Sequence, residues 1–152
     1  MLLAATTGIH RHVTAIRDGR KDKHGKTGIG WNEHIEGACG EMALAKALNK
    51  HWGGTINTFK AGNDVDKYQV RTRSKDWYDL NIRKDDDTEK LFVLAVGMAP
   101  TFKIIGWMKA IDARKKEWLQ NYAGREPAWF APQSELHDLR LLVEGEGERG
   151  EV

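Results

Sequence analysis

The chain has 152 residues and a formal net charge of +2, with 40% hydrophobic and 30% charged residues, which suits one domain with a hydrophobic core. No apolar run is long enough to span a bilayer, and Met-Leu-Leu-Ala-Ala at the N-terminus has no preceding basic region. We therefore expect a cytoplasmic protein without a membrane segment or signal peptide. Cys39 is the only cysteine, which excludes an internal disulfide and a cysteine-based zinc cluster.

The first predicted element is a helix over residues 2–18. Its aliphatic residues recur at helical spacing and predict the face that packs on the core, whereas its basic residues lie on the other faces. The aliphatic face consists of Leu3, Ile9, Val13 and Ile16.

A second helix is predicted over residues 33–50, after a polar loop punctuated by glycine. Asn32 is a suitable N-cap for this helix. Gly37 and Gly40 each cost about 1 kcal/mol relative to alanine inside a helix. They therefore predict that another backbone passes close to this helix.

Strand patterns dominate the rest of the chain. Residues 68–73 alternate, which places Gln69 and Arg71 on one side of a strand. Residues 91–96 form a continuous apolar run, which predicts a central strand buried on both faces. Further strands are predicted at 55–59, 80–83, 102–107 and 129–131, and a charged helix at 110–122.

These elements predict a single α+β domain over residues 1–143. Its N-terminal helices are expected to pack on a central mixed β-sheet that is mostly antiparallel, with a further helix after the strands. Residues 144–152 are rich in glycine and glutamate, which predicts an acidic disordered tail.

Four polar residues form a candidate site for phosphodiester chemistry. Asp64 offers a carboxylate and Gln69 an amide oxygen, and Mg²⁺ prefers such oxygen ligands. Glu41 lies on the helix expected to cross the strands. Arg71 projects from the same face as Gln69, and its planar guanidinium suits a phosphate. Alternatively, these residues belong to a solvated strand face and a surface turn, with Glu41 paired to a lysine on its own helix.

Several short stretches carry a family resemblance. They are Gly-Ala-Cys-Gly-Glu-Met-Ala-Leu-Ala-Lys-Ala-Leu from residue 37, Asp-Val at 64, Tyr-Gln-Val-Arg-Thr at 68, Leu-Asn-Ile-Arg at 80 and Leu-Phe-Val-Leu-Ala-Val-Gly at 91. Over roughly residues 31–136 the sequence resembles the PD-(D/E)XK nuclease-like superfamily, and more narrowly its small phage and prophage proteins.

The resemblance implies a restriction-endonuclease-like core and Mg²⁺- or Mn²⁺-dependent hydrolysis of DNA, in the host cytoplasm if the protein is phage-encoded. It implies Glu41, Asp64, Gln69 and Arg71 as catalytic residues, with Asp64, Gln69 and Glu41 holding the metal. Gln69 stands where the family usually has an acid. Arg71 stands where lysine is usual, and it stays protonated, so it can hold a phosphate but cannot act as a base. Asp66 is an alternative to Asp64.

A basic arm on the first helix and the following loop predicts contacts with a DNA backbone. Its residues are Arg11, Arg17, Arg20, Lys21, Lys23 and Lys26. Alternatively, the arm is a solvated helix face followed by a loop. Trp31, Trp52 and Trp77 could stack on bases, although cover for sheet edges is the more common role. A catalytically inactive DNA-binding relative, a host or phage protein partner and a homo-oligomer remain open.

Overall fold

Two helices, α1 (Leu2–Arg17) and α2 (Gly30–Ala47), precede all the strands of the computed structural model. The structure describes residues 1–19, 30–54, 62–122 and 124–142. Over these ranges no helix is both long and apolar enough to cross a membrane. The predicted strand at 55–59, the predicted tail at 144–152 and the predicted DNA contacts Arg20, Lys21, Lys23 and Lys26 lie outside the described residues.

Among the described residues, six strands follow the helices. A short helix, α3 (Ala110–Ala113), comes after the fourth strand and leads to a 3₁₀ turn at Lys116–Trp118. The strands are β1 (Tyr68–Arg73), β2 (Leu80–Arg83), β3 (Leu91–Met98), β4 (Thr101–Lys109), β5 (Leu119–Gln120) and β6 (Ala128–Ala131).

The first sheet is mixed and has the order β1-β3-β4. β1 runs parallel to β3, and β4 runs antiparallel to it. Residues 92–96 of β3 are all buried, so the prediction of a central strand covered on both faces is confirmed.

One face of this sheet packs on α2. Ala38 and Leu44 of the helix share a core with Val70 of β1 and Val93 of β3. A Cβ atom on Gly40 would overlap the side chain of Thr72 on β1. The close approach predicted from the helix glycines therefore exists at Gly40, although a strand side chain is the near neighbour.

A second, antiparallel sheet covers the other face, in the order β2-β6-β5. Leu80 and Ile82 of β2 share a second core with Phe92 and Leu94 of β3. The α+β class and the helices packed on a mixed sheet are confirmed, but the expectation that the strands form one central sheet is wrong. Because β3 is apolar on both faces, each face needs its own cover, and α2 covers only one.

The predicted buried face of α1 is also wrong. The helix buries Ala4, Thr7 and Gly8, while its aliphatic residues Leu3, Ile9, Val13 and Ile16 are 40–61% exposed. A Cβ on Gly8 would lie 2.5 Å from Ile35 Cα, so only a residue this small allows the two helices to approach so closely. The small-residue face of α1 therefore packs against α2 in place of the aliphatic face.

The charged helix predicted at 110–122 is reduced to the single turn of α3. Arg114 leaves the helix and donates from Nη2 to the carbonyl oxygens of Arg83 and Asp86, at 3.2 and 2.7 Å. Trp118 is then buried in the second core. These two anchors turn the chain toward β5 before a longer helix can form.

Candidate functional site

A tight turn returns Asp64 to the edge of β1. The backbone N–H groups of Asp64 and Val65 donate to the carbonyl of Tyr68, at 3.0 and 3.2 Å, and Tyr68 N donates back to Val65 O at 2.8 Å. Asp66 occupies the turn with a φ of 51°. The Asp64 carboxylate therefore lies beside β1, where its Oδ2 accepts a hydrogen bond from Val70 N at 2.7 Å.

Glu41 is buried on α2, with 6% of its surface exposed. Arg11 of α1 donates to both of its carboxylate oxygens, at 2.6 and 2.8 Å. Trp52 Nε1 donates to Oε2 at 3.2 Å. A charge buried this deeply needs such partners, since an isolated buried carboxylate is strongly unfavourable. Trp52 is itself buried, which excludes base stacking, the less favoured of the two roles considered for it.

Asp64 and Glu41 lie within electrostatic reach of each other, and we call them the acidic pair. Burial, which has the largest effect, and the charge of Glu41 together raise the pKa of Asp64 to about 6. The hydrogen bond from Val70 N and the charges of Arg71 and Arg11 act in the opposite direction. The edge of β1 therefore carries a carboxylate that resists ionisation and that a further cation would stabilise.

Arg71 lies on the face of β1 that is directed toward the second sheet. Its guanidinium sits over the Phe92 ring, 4.7 Å from the centroid. Nη2 donates to Asp86 Oδ2 at 2.5 Å, and Nε donates to the Asn81 carbonyl at 3.2 Å. Arg71 is thus held in one orientation by the second sheet and the turn that follows β2, while its charge still lowers the pKa of Asp64.

Gln69 shares this face but contacts the segment that leads into Asp64. Its Nε2 donates to the Gly62 carbonyl at 3.0 Å and to Asn63 Oδ1 at 3.3 Å. The other candidate acid, Asp66, is exposed and lies 3.5 Å from Lys50 Nζ. The structure therefore places Asp64 within electrostatic reach of Glu41. It holds Gln69 and Arg71 on β1 by hydrogen bonds, and Asp66 is directed to solvent.

Acidic metal ligands are few at this site. Within the described ranges, no group of three or more histidine, cysteine, aspartate or glutamate side chains is arranged to hold a metal ion. The acidic pair supplies two carboxylates. Mg²⁺ is often bound through only one or two carboxylates, with water and substrate phosphate completing its shell.

One member of the acidic pair, Glu41, lines a large open groove. Glu41, Val70 and Arg71 line it, and its volume is about 1420 Å³. The groove continues past Arg73 and along the loop that carries Trp77. An extended ligand in this groove would therefore reach the edge of β1.

The described part of the basic arm is divided between two environments. Arg11 is committed to Glu41. Arg17 is 75% exposed and lies 3.4 Å from Asp18. Their predicted contacts with a DNA backbone stay predictions.

Sequence reasoning missed the pairing of Arg11 with Glu41. One signal for it exists, because Thr7, Gly8 and Arg11 share a helical face by their spacing. The hydrogen bond from Val70 N to Asp64 and the anchoring of Arg71 by Asp86 depend on the turns and leave no comparable pattern.

Comparison of the chain with protein-family models, with curated proteins and with solved structures found no match.

Proposed function

We propose that this chain is a phage-type nucleic-acid-processing protein with a restriction-endonuclease-like core, which hydrolyses DNA phosphodiester bonds with the help of a divalent metal. The observation that carries the proposal is the carboxylate of Asp64 at the edge of β1, where burial and the charge of Glu41 raise its pKa to about 6 and where its neighbours Glu41, Val70 and Arg71 line the groove. Perturbed carboxylates in a cleft are frequent at catalytic and metal sites. Such a protein would act in the cytoplasm, that of the host if it is phage-encoded.

The donors present suit Mg²⁺ or Mn²⁺. Asp64 would bind the ion directly, the Gln69 amide oxygen and the Val70 carbonyl would supply neutral oxygens, and Glu41 would bind through water. The fit rests on Asp64, whose unfavourable charge a cation would compensate. A bound divalent ion would polarise the phosphoryl oxygen and lower the pKa of the attacking water.

The protein side chains would position the phosphate. Arg71 lines the groove and is pre-oriented by Asp86, so its guanidinium can attract a phosphoryl oxygen at little entropic cost. Arginine cannot serve as the base. Proton removal is therefore assigned to the carboxylates, and Asp64 is ionised mainly above its pKa of about 6.

The test is cleavage of a DNA panel that contains plasmid, linear duplex, flap and single-stranded substrates, with Mg²⁺ or Mn²⁺. We expect cleavage by the wild type and its loss in Asp64→Ala. Asp66→Asn is the matched control, because Asp66 is exposed and asparagine tolerates its positive φ. Absence of cleavage by the wild type, or equal cleavage by Asp64→Ala, would contradict the enzymatic proposal.

A catalytically inactive DNA-binding relative is the second candidate. It is favoured by Arg11, which occupies both oxygens of Glu41, and by the neutral Gln69 in the position of an acid. Calorimetry with Mn²⁺ separates the two candidates. An active site should give heat that Asp64→Ala abolishes, and an inactive relative should give none.

A further inference from the structure

The groove beside the acidic pair carries an ordered aromatic surface, which we call the aromatic wall. It consists of Arg73, Trp77, Tyr78, Tyr122 and Phe130. Trp77 is 69% exposed and Tyr122 is 52% exposed. Aromatic rings of this size are seldom left so exposed in one groove without a ligand to cover them.

Ring and cation contacts fix the inner part of the wall. The Arg73 guanidinium lies 4.6 Å from the Tyr78 ring centroid and 5.9 Å from that of Phe130. Tyr122 meets Phe130 edge to face at 5.3 Å. The wall therefore combines π surfaces with a cation held between them.

Gln133 holds the loop that carries Trp77 by hydrogen bonds. Gln133 Nε2 donates to the carbonyl oxygens of Asp76 and Tyr78, at 2.6 and 2.9 Å. Gln133 N donates to Asp79 Oδ1 at 3.3 Å. The backbone that carries the exposed indole is therefore held in place by hydrogen bonds. This reduces the conformational entropy that the loop loses when a ligand stacks on Trp77.

Charge is divided between the two sides of the groove. The α2 side carries Glu33, Glu36 and Glu41, which would repel a phosphate chain. The strand-and-loop side, which includes the aromatic wall, carries five cations against the three acids Asp79, Asp85 and Glu126. Those cations are Arg71, Arg73, Arg83, Lys84 and Arg125. A polyanion in the groove would therefore follow the aromatic wall.

We infer that the groove binds a nucleic-acid segment with unpaired bases, which stack on Trp77 while the backbone follows the cations toward the acidic pair. A duplex covers the faces of its bases by stacking, so it would meet the cations but leave the indole unused. Exposed aromatic rings interleaved with cations are the combination that binds single strands. This inference rests on the proposed function and adds the class of substrate.

The test is fluorescence anisotropy with labelled dT20 and a labelled blunt duplex of 20 base pairs, in EDTA. We expect the wild type to bind dT20 more tightly than the duplex. Trp77→Ala should weaken dT20 binding roughly 5- to 150-fold, which is the fold-change equivalent of about 1–3 kcal/mol per stacked base. Trp77→Phe should recover most of this loss, because it retains a ring face.

Trp31→Ala is the matched control. Trp31 is 42% exposed on α2 and contacts His12 instead of the groove. We expect its substitution to leave the affinity for both probes unchanged. Trp77→Ala should likewise leave duplex binding within about twofold, since phosphate contacts supply that affinity. Equal weakening on both probes, or no weakening on dT20, would overturn the inference.

The outcome is separable from that of the proposed function. Trp77-dependent binding of dT20 in EDTA, without cleavage in Mn²⁺, would support the inference while hydrolysis fails. Cleavage of duplex that is unaffected by Trp77→Ala would retain hydrolysis and overturn the inference. If the wild type binds neither probe, the inference is overturned and the groove is left to a protein partner.

Discussion

Replacement of Asp64 by asparagine should stabilise the metal-free protein at neutral pH. In the folded chain burial and the charge of Glu41 together raise the pKa of Asp64 from 3.8 to about 6. Between the unfolded and the folded pKa of Asp64, the native state holds more protons than the unfolded state. The free energy of unfolding therefore falls as the pH rises through this range. The full difference corresponds to roughly 3 kcal/mol. Asparagine removes the charge and keeps an oxygen that can accept from Val70 N.

The assay is urea denaturation in EDTA at a series of pH values from about 4 to 8. We expect Asp64→Asn to match the wild type near pH 4 and to exceed its stability by about 1–3 kcal/mol at pH 8. Asp66→Asn should stay within about 0.5 kcal/mol throughout, because Asp66 forms only an exposed pair with Lys50. The reasoning is refuted if Asp64→Asn destabilises the protein at pH 8, or if its difference from wild type does not grow with pH.

Two further predictions concern the helices, and urea denaturation measures both. Arg11→Met should destabilise the protein by about 3 kcal/mol, because it leaves the buried carboxylate of Glu41 without its cation. Addition of Glu41→Gln should restore much of this stability, and Arg17→Met, in an exposed pair, should cost less than about 0.5 kcal/mol; an equal loss for both arginine variants would contradict the prediction. Gly40→Ala should destabilise by about 1–3 kcal/mol because its Cβ meets Thr72, whereas Gly37→Ala, which meets nothing within 4 Å, should stabilise by about 0.5–1 kcal/mol. Equal effects of the two alanines would show that helix propensity alone decides at these positions.

The elements with strong periodicity could be predicted from the sequence. Both N-terminal helices and the buried strand β3 exist as predicted, but α2 begins and ends three residues before the predicted 33–50, so Asn32 lies inside it and is not its N-cap. The two-residue strand β5 is too short to leave a signal. The division into two sheets depends on which face of β3 each partner covers, and strand patterns do not encode that choice.

The candidate site was only partly predictable for a related reason. The proximity of Glu41 to β1 follows from a helix that packs on a strand. The partner of Glu41 is Arg11 on α1. The close approach of α1 to α2 depends on Gly8, which has no side chain and therefore leaves no hydrophobic signal in the sequence. Hydrophobic periodicity favours the aliphatic face of α1 instead, because it measures apolar side chains and not how closely two backbones can approach.

The inverted packing of α1 also determines how accessible Glu41 is. The helix buries Ala4, Thr7 and Gly8, which have little or no side chain, so little apolar surface resists its separation from α2. Elements with little buried apolar surface open locally at a lower free energy than the core. The same helix supplies the guanidinium that covers both oxygens of Glu41. Separation of α1 from α2 would therefore remove Arg11 from Glu41, which links the exposure of that carboxylate to the docking of a whole helix.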